Sequence, residues 1–143
     1  MKLPDVNLFL YAYDSESPRQ QAAQAWVQEA LSGTETVAVA WMMLLGFIRL
    51  STKPAVFAAP LKVEAAIGFV EQWLAQPAVT VIHPTNRHAA VLRDLLAPLG
   101  AAGNLTSDAH LAALAIEHGA TLYSSDNDFA RFDGLRWIDP LRV

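Results

Sequence analysis

At 143 residues and 53% apolar side chains, the chain has the length and composition for one continuous core without crosslinks, and the absence of cysteine excludes disulfides and thiolate metal sites. A net charge of -4 and a pI near 5.4 run against the broad basic footprint of a nucleic-acid groove. They leave room for a compact acidic metal site with a few local arginines, because a bound divalent cation inverts the local charge. The longest apolar run, Val37 to Ile48, is about half of what a membrane span requires and reads as a buried strand followed by a core helix. Met1 leads straight into a strand with no basic segment before an apolar one, so a cytoplasmic protein without membrane contact is expected.

In chain order, Lys2 to Val6 reads as a first strand, with Pro4 confined to its last position or a bulge because proline cannot donate to a ladder. Asn7 to Tyr13 begins a helix. Ser17-Pro18 reads as N-cap and first residue of a helix to about Leu31 that buries Ala22, Ala25, Trp26 and Ala30, with Gly33 ending the connection. Thr36 to Ala40 is a second strand and Trp41 to Leu50 the helix after it, closed by Ser51 to Pro54. Pro60 opens an amphipathic helix with Leu61, Ala65, Phe69 and Trp73 on neighbouring turns. Val79 to Ile82 is a third strand, and Thr85 caps a helix to about Leu99. Then Thr106 caps a helix stopped by Gly119, Ala120 to Ser124 is a buried strand, and Leu135 to Ile138 a short edge strand. This alternation calls for an α/β domain spanning 1-143, with a mostly parallel sheet and right-handed crossovers.

The topology brings acids together. Asp108 lies in the first turn of the helix after Thr106, Asp126 and Asp128 lie just past the strand ending at Ser124, and Asp5 lies just past the first strand. Ligands of open α/β sheets bind outside the carboxyl ends of the strands. Carboxylates gathered there repel one another unless a cation sits between them, and all-oxygen ligation favours Mg²⁺ or Mn²⁺. Such an ion supports phosphodiester hydrolysis. Each acid also has a plain structural use: Asp108 complements a helix dipole, Asp126 or Asp128 caps a turn, and Asp5 closes an Asx-turn with Asn7. Arg49, Lys53, Arg87 and Arg131 could contact phosphates or simply be solvated. His83, His88, His110 and His118 show no zinc spacing, and the four tryptophans are core or interface residues first.

LPDVNLFLYAY, GNLTSDAHLAALAIEHGATLYSSDNDFARF and GLRWIDPL resemble the PIN-domain family, specifically the VapC-type toxins of bacterial toxin-antitoxin pairs, over nearly the whole chain in order. The resemblance implies a three-layer α/β/α fold with a five-stranded parallel sheet. It further implies a Mg²⁺- or Mn²⁺-dependent endoribonuclease cutting structured RNA, such as transfer or ribosomal RNA, to leave a 3'-hydroxyl and a 5'-phosphate. Asp5, Asp108 and Asp126 match the metal-holding acids and Asp128 an accessory acid, while Asn7 and Ser124 match polar positions that hold ligands or water. A VapB-type antitoxin is the implied partner, seated in a groove of the early helices, and two toxins pair through others. The helices 18-31 and 60-74 are apolar enough to leave such a docking face.

One departure stands out. Similar toxins often carry LLEFIRL, whereas this chain reads LLGFIRL with Gly46 at the glutamate's place, so one firmly held ion is expected. Asp14 or Glu16 could substitute only if their loop folds back. Gly46 also keeps open a non-catalytic PIN-like module that binds its antitoxin through a decayed site. A phosphatase using Asp5 as nucleophile is disfavoured, because Asn7 stands where such enzymes place a second aspartate.

Overall fold

The computed structural model describes residues 1–142. Its sheet is built from strands of two or three residues. The elements are β1 (Lys2–Pro4), α1 (Val6–Tyr13), α2 (Gln20–Ser32), β2 (Val37–Val39), α3 (Trp41–Ser51), α4 (Val63–Leu74), β3 (Val79–Val81), α5 (His88–Leu96), α6 (Thr106–His118), β4 (Thr121–Tyr123) and β5 (Trp137–Ile138). All pairings are parallel, in the order β3-β2-β1-β4-β5. The first strand is therefore the central one, and Pro4 occupies its last position, as its missing N–H requires.

Alternation along β2 divides the core into two layers. Val37 and Val39 pack with Phe9, Met43, Phe47 and Trp73 on the side of α1 to α4. Ala38 and Ala40 face the opposite way and pack with Leu111, Leu114 and Leu122 on the side of α5 and α6. The sheet thus lies between helices on both faces. On the first face Trp73 anchors an aromatic cluster, with Phe47 4.7 Å away edge-on, Phe9 at 4.5 Å, and its indole Nε1–H donating to the Tyr13 hydroxyl at 3.2 Å.

Several boundaries and faces differ from the sequence reading. The strands are shorter than predicted: β1 stops at Pro4, β2 spans Val37–Val39, β3 and β4 three residues each, and β5 only Trp137–Ile138. Helix α2 begins at Gln20 rather than at Pro18, because the Ser17 hydroxyl accepts from Arg19 N and holds Pro18 in a turn before the helix. It buries Ala23, Val27 and Ala30; Ala22 and Ala25 are exposed, and Trp26 rests half-buried on the Tyr123 ring. In an alanine-rich segment more than one stripe fits the spacing, so the sequence does not fix the phase. Helix α4 begins at Val63, not Pro60, since Leu61 N is tied to Ser51 O, and it buries Ala66, Val70 and Trp73 in place of Ala65 and Phe69. Thr85 does not cap α5: its N–H and hydroxyl both donate to Glu117, and the helix starts at His88. Thr106 is the first residue of α6, its hydroxyl donating to Gly103 O at 2.9 Å instead of accepting from the helix. Gly119 does stop α6, at φ 67°, a left-handed conformation that glycine adopts without Cβ strain.

Candidate active site

The carboxyl ends of β1 and β4 lie side by side, and local hydrogen bonding decides the path of the chain beyond each. Past Pro4, Asp5 N donates to Tyr123 O of β4 at 2.9 Å, while its side chain caps α1 through Oδ1, which accepts from Val6 N at 2.7 Å. The other oxygen, Oδ2, accepts from the buried Ser124 hydroxyl at 2.8 Å. That same hydroxyl accepts from Asp126 N at 3.0 Å. Asp126 in turn caps the short 3-10 turn Asn127–Arg131, its Oδ1 accepting from Asp128 N at 2.9 Å. Ser124 is thus the joint between the two strand ends. Asp108 enters from the first turn of α6.

One carboxylate oxygen each from Asp108, Asp126 and Asp128 lies within 4.8 Å of the others, all three residues half-buried. Asp5 is only 8% exposed and is not a member of that trio, both of its oxygens being engaged by Val6 and Ser124. It still feels the others. Burial pushes its carboxyl up, against the Ser124 and Val6 hydrogen bonds, and the charge on Asp126 pushes the same way. Asp108 is pushed up to about 6, first by burial and then by Asp126, Asp5 and Asp128 in that order. Two carboxyls held up by burial and by neighbouring negative charge, beside the carboxylates of Asp126 and Asp128, form a site that a hard divalent cation fits, since it relieves the burial and repulsion that a proton otherwise relieves. Asp128 also reaches Arg131, at 3.6 Å between exposed groups.

A cleft of about 140 Å³ opens beside the acids. Asp5, Ser107 and Asp108 line it together with Met42, Gly46, Arg49 and Leu50. Of these, Ser107, Met42 and Leu50 carried no functional signal in the sequence; proximity to Asp108 and Gly46 is the only hint available there. The Asp14 carboxylate accepts from Glu16 N within its own turn, and neither acid belongs to the trio. Asn7 is half-buried in the first turn of α1. Away from the cleft, His88 and His110 face each other with ring nitrogens 2.9 Å apart.

Residues 2–135 match the model of the PIN domain. The chain belongs to the PIN-domain family. Among its PIN relatives, Ribonuclease VapC37 of Mycobacterium tuberculosis is 47% identical over 140 residues, covering 98% of this chain and 97% of the relative. Ribonuclease VapC33 of the same organism is 44% identical over 142 residues, covering 99% of both. Among solved structures, VapBC2 from Rickettsia felis, bound to a DNA fragment from its promoter, superposes with a TM-score of 0.68 at 19% identity, covering 96% of each chain. At that identity the superposition speaks for the PIN fold alone. The five-stranded parallel sheet expected from the resemblance is borne out, as is its VapC character.

Proposed function

We propose that this chain is a VapC-type endoribonuclease that hydrolyses phosphodiester bonds of structured RNA with Mg²⁺ or Mn²⁺ held by Asp5, Asp108, Asp126 and Asp128, and that a VapB-type antitoxin neutralises it. The observation that carries the reading is the gathering of Asp108, Asp126 and Asp128 within 4.8 Å at a sheet edge shared with Asp5, in a chain whose curated relatives are named ribonucleases. When bound, such an ion supplies an acidified water and charge stabilisation at the phosphoryl oxygens.

The chain's own residues do the rest. Ser124 holds Asp5 in place through its hydroxyl and Asp126 through its backbone, so two elements far apart in sequence keep one geometry. Burial makes Asp5 and Asp108 costly to ionise without a counter-charge, which favours cation capture over a solvated acidic patch. Arg49 and Arg131 bring positive charge to an otherwise acidic edge, where the RNA backbone must approach.

The antitoxin's place is the cleft between α2 and α4, lined by Tyr13, Val27, Leu31 and Trp73 with Gln28 and Gln76, a volume of about 310 Å³. An amphipathic helix suits such a groove. The chain acts as one domain and pairs with a second copy, which light scattering tests directly.

Calorimetric titration with Mn²⁺, run on the wild type and on Asp108→Asn beside cleavage of total bacterial transfer RNA and ribosomal RNA, tests the whole. The wild type binds the ion and cuts RNA, and the variant loses both, with cleavage down by about 10²-fold or more. Unchanged metal binding in the variant, or none in the wild type, makes the acids structural and the chain an antitoxin-binding module.

A further inference from the structure

The glycine in the middle of α3 is not demanded by the packing around it. A Cβ built at Gly46 would meet only Val6 Cγ2, at 3.6 Å, an ordinary van der Waals contact. Glycine is also a poorer helix former than alanine, so folding alone favours a side chain at this position. What Gly46 contributes is room, and the room opens on the acids. The cleft beside it holds about 140 Å³, close to the ~150 Å³ of an apolar cavity that admits one aromatic ring.

Its walls suit a ring that carries a phosphate. Met42 and Leu50 line it with apolar surface, and the 37% exposed Met42 offers a polarisable thioether to a ring face. Arg49 lines it too, is exposed, and has no ion-pair partner among the described residues. Asp5 and Asp108 border the same space.

We propose that this cleft is a nucleobase subsite, in which one base of the RNA strand lies in the space left by Gly46, against Met42 and Leu50, while Arg49 pairs with the adjoining phosphate. The inference rests on the nuclease reading and adds how the strand is placed: the docked base sets which phosphodiester reaches Asp5 and Asp108. Contact through a ring face tolerates any base, so the subsite positions the strand more than it reads sequence. Arginine is the suited partner for the phosphate, because its planar fork matches two oxygens at once.

Two measurements test it. In the first, protein labelled with ¹³C at the methionine methyls is titrated with AMP, GMP, CMP and UMP in the presence of Mg²⁺. The Met42 methyl, assigned by its loss in Met42→Leu, moves upfield under the ring current of the bound base while the Met1 methyl does not, and Gly46→Leu abolishes the movement. In the second, Gly46→Leu retains Mn²⁺ affinity within about 2-fold but cuts transfer RNA at least ~10-fold more slowly, as expected when a reacting group is misplaced. Gly46→Ala, which the packing accommodates, guards against a folding artefact: its Tm rises by about 2–4 °C while cleavage falls severalfold. A Met42 methyl unmoved by all four nucleotides, or a Gly46→Leu variant that cuts as fast as the wild type, overturns the subsite and leaves the nuclease reading intact. A wild type that binds no divalent ion and cuts no RNA overturns both.

Discussion

Asp108 is the residue on which the electrostatics of the site turn. Its carboxyl is raised to about 6 by burial and by three neighbouring acids, so the metal-free folded state binds its proton more tightly than the unfolded chain does. Stability from this group is fully present below the unfolded pKa and is lost as pH rises through about 6. In EDTA, the melting temperature of the wild type is therefore expected to fall between pH 5.5 and 7.5 by more than that of Asp108→Asn, and saturating Mn²⁺ at pH 7.5 should restore the difference. Equal pH profiles for the two proteins would show that the carboxylate carries no such strain. The same competition makes metal affinity fall below about pH 6, by up to ~10-fold per unit once a single proton must be displaced.

At the scale of elements, Glu117 fastens α6 to the start of α5. Its side chain is fully covered and accepts from Thr85 N at 2.9 Å, from the Thr85 hydroxyl and from His88 Nδ1, while Arg87 donates to its carbonyl. Burial works to raise its carboxyl, and the donors from Thr85 and His88 outweigh it, holding it below the usual range. Glu117→Ala removes the acceptor for three donors and should cost about 2–3 kcal/mol in urea denaturation; a loss under about 0.5 kcal/mol would mean that water replaces it freely. None of this was visible in the sequence, because Glu117 and His88 are 29 positions apart and no spacing rule pairs them. The acids were legible for the opposite reason: Asp5, Asp126 and Asp128 follow strand ends and Asp108 starts a helix, so chain order alone sends them to one edge. Strand positions were legible to within a few residues. The faces of α2 and α4 were not, since alanines there fit several stripes and only Trp73 and its aromatic neighbours select one.

Taken whole, the molecule has two clefts on separate elements: one bordered by Asp5 and Asp108 and edged by α3 and α6, and one between α2 and α4 without acids, where Val27, Leu31 and Trp73 stand among glutamines. Leu31→Asp in the second should leave Mn²⁺ binding and RNA cleavage within about 2-fold of the wild type while freeing cleavage from inhibition by the antitoxin, because it puts a charge where an apolar helix face would dock. Inhibition that persists unchanged would move the antitoxin to another face. The exposed Trp41, Leu45, Val63 and Ile67, at 41–59% accessibility, show that α3 and α4 also keep apolar side chains outside the core.

The position of β1 in the sheet has a consequence for synthesis. β1 precedes the other four strands of the sheet in chain order and is the central one, with β2 on one side and β4 on the other, so one of its edges stays unpaired until Thr121 to Tyr123 have been added. Asp5 is likewise translated well before Asp108, Ser124, Asp126 and Asp128. A chain translated only as far as residue 100 holds one of the four acids and lacks the Ser124 hydroxyl that engages Asp5 Oδ2. The acidic edge is therefore assembled only after α6, β4 and the turn beyond it have been made, so the order of synthesis itself delays the gathering of the four acids.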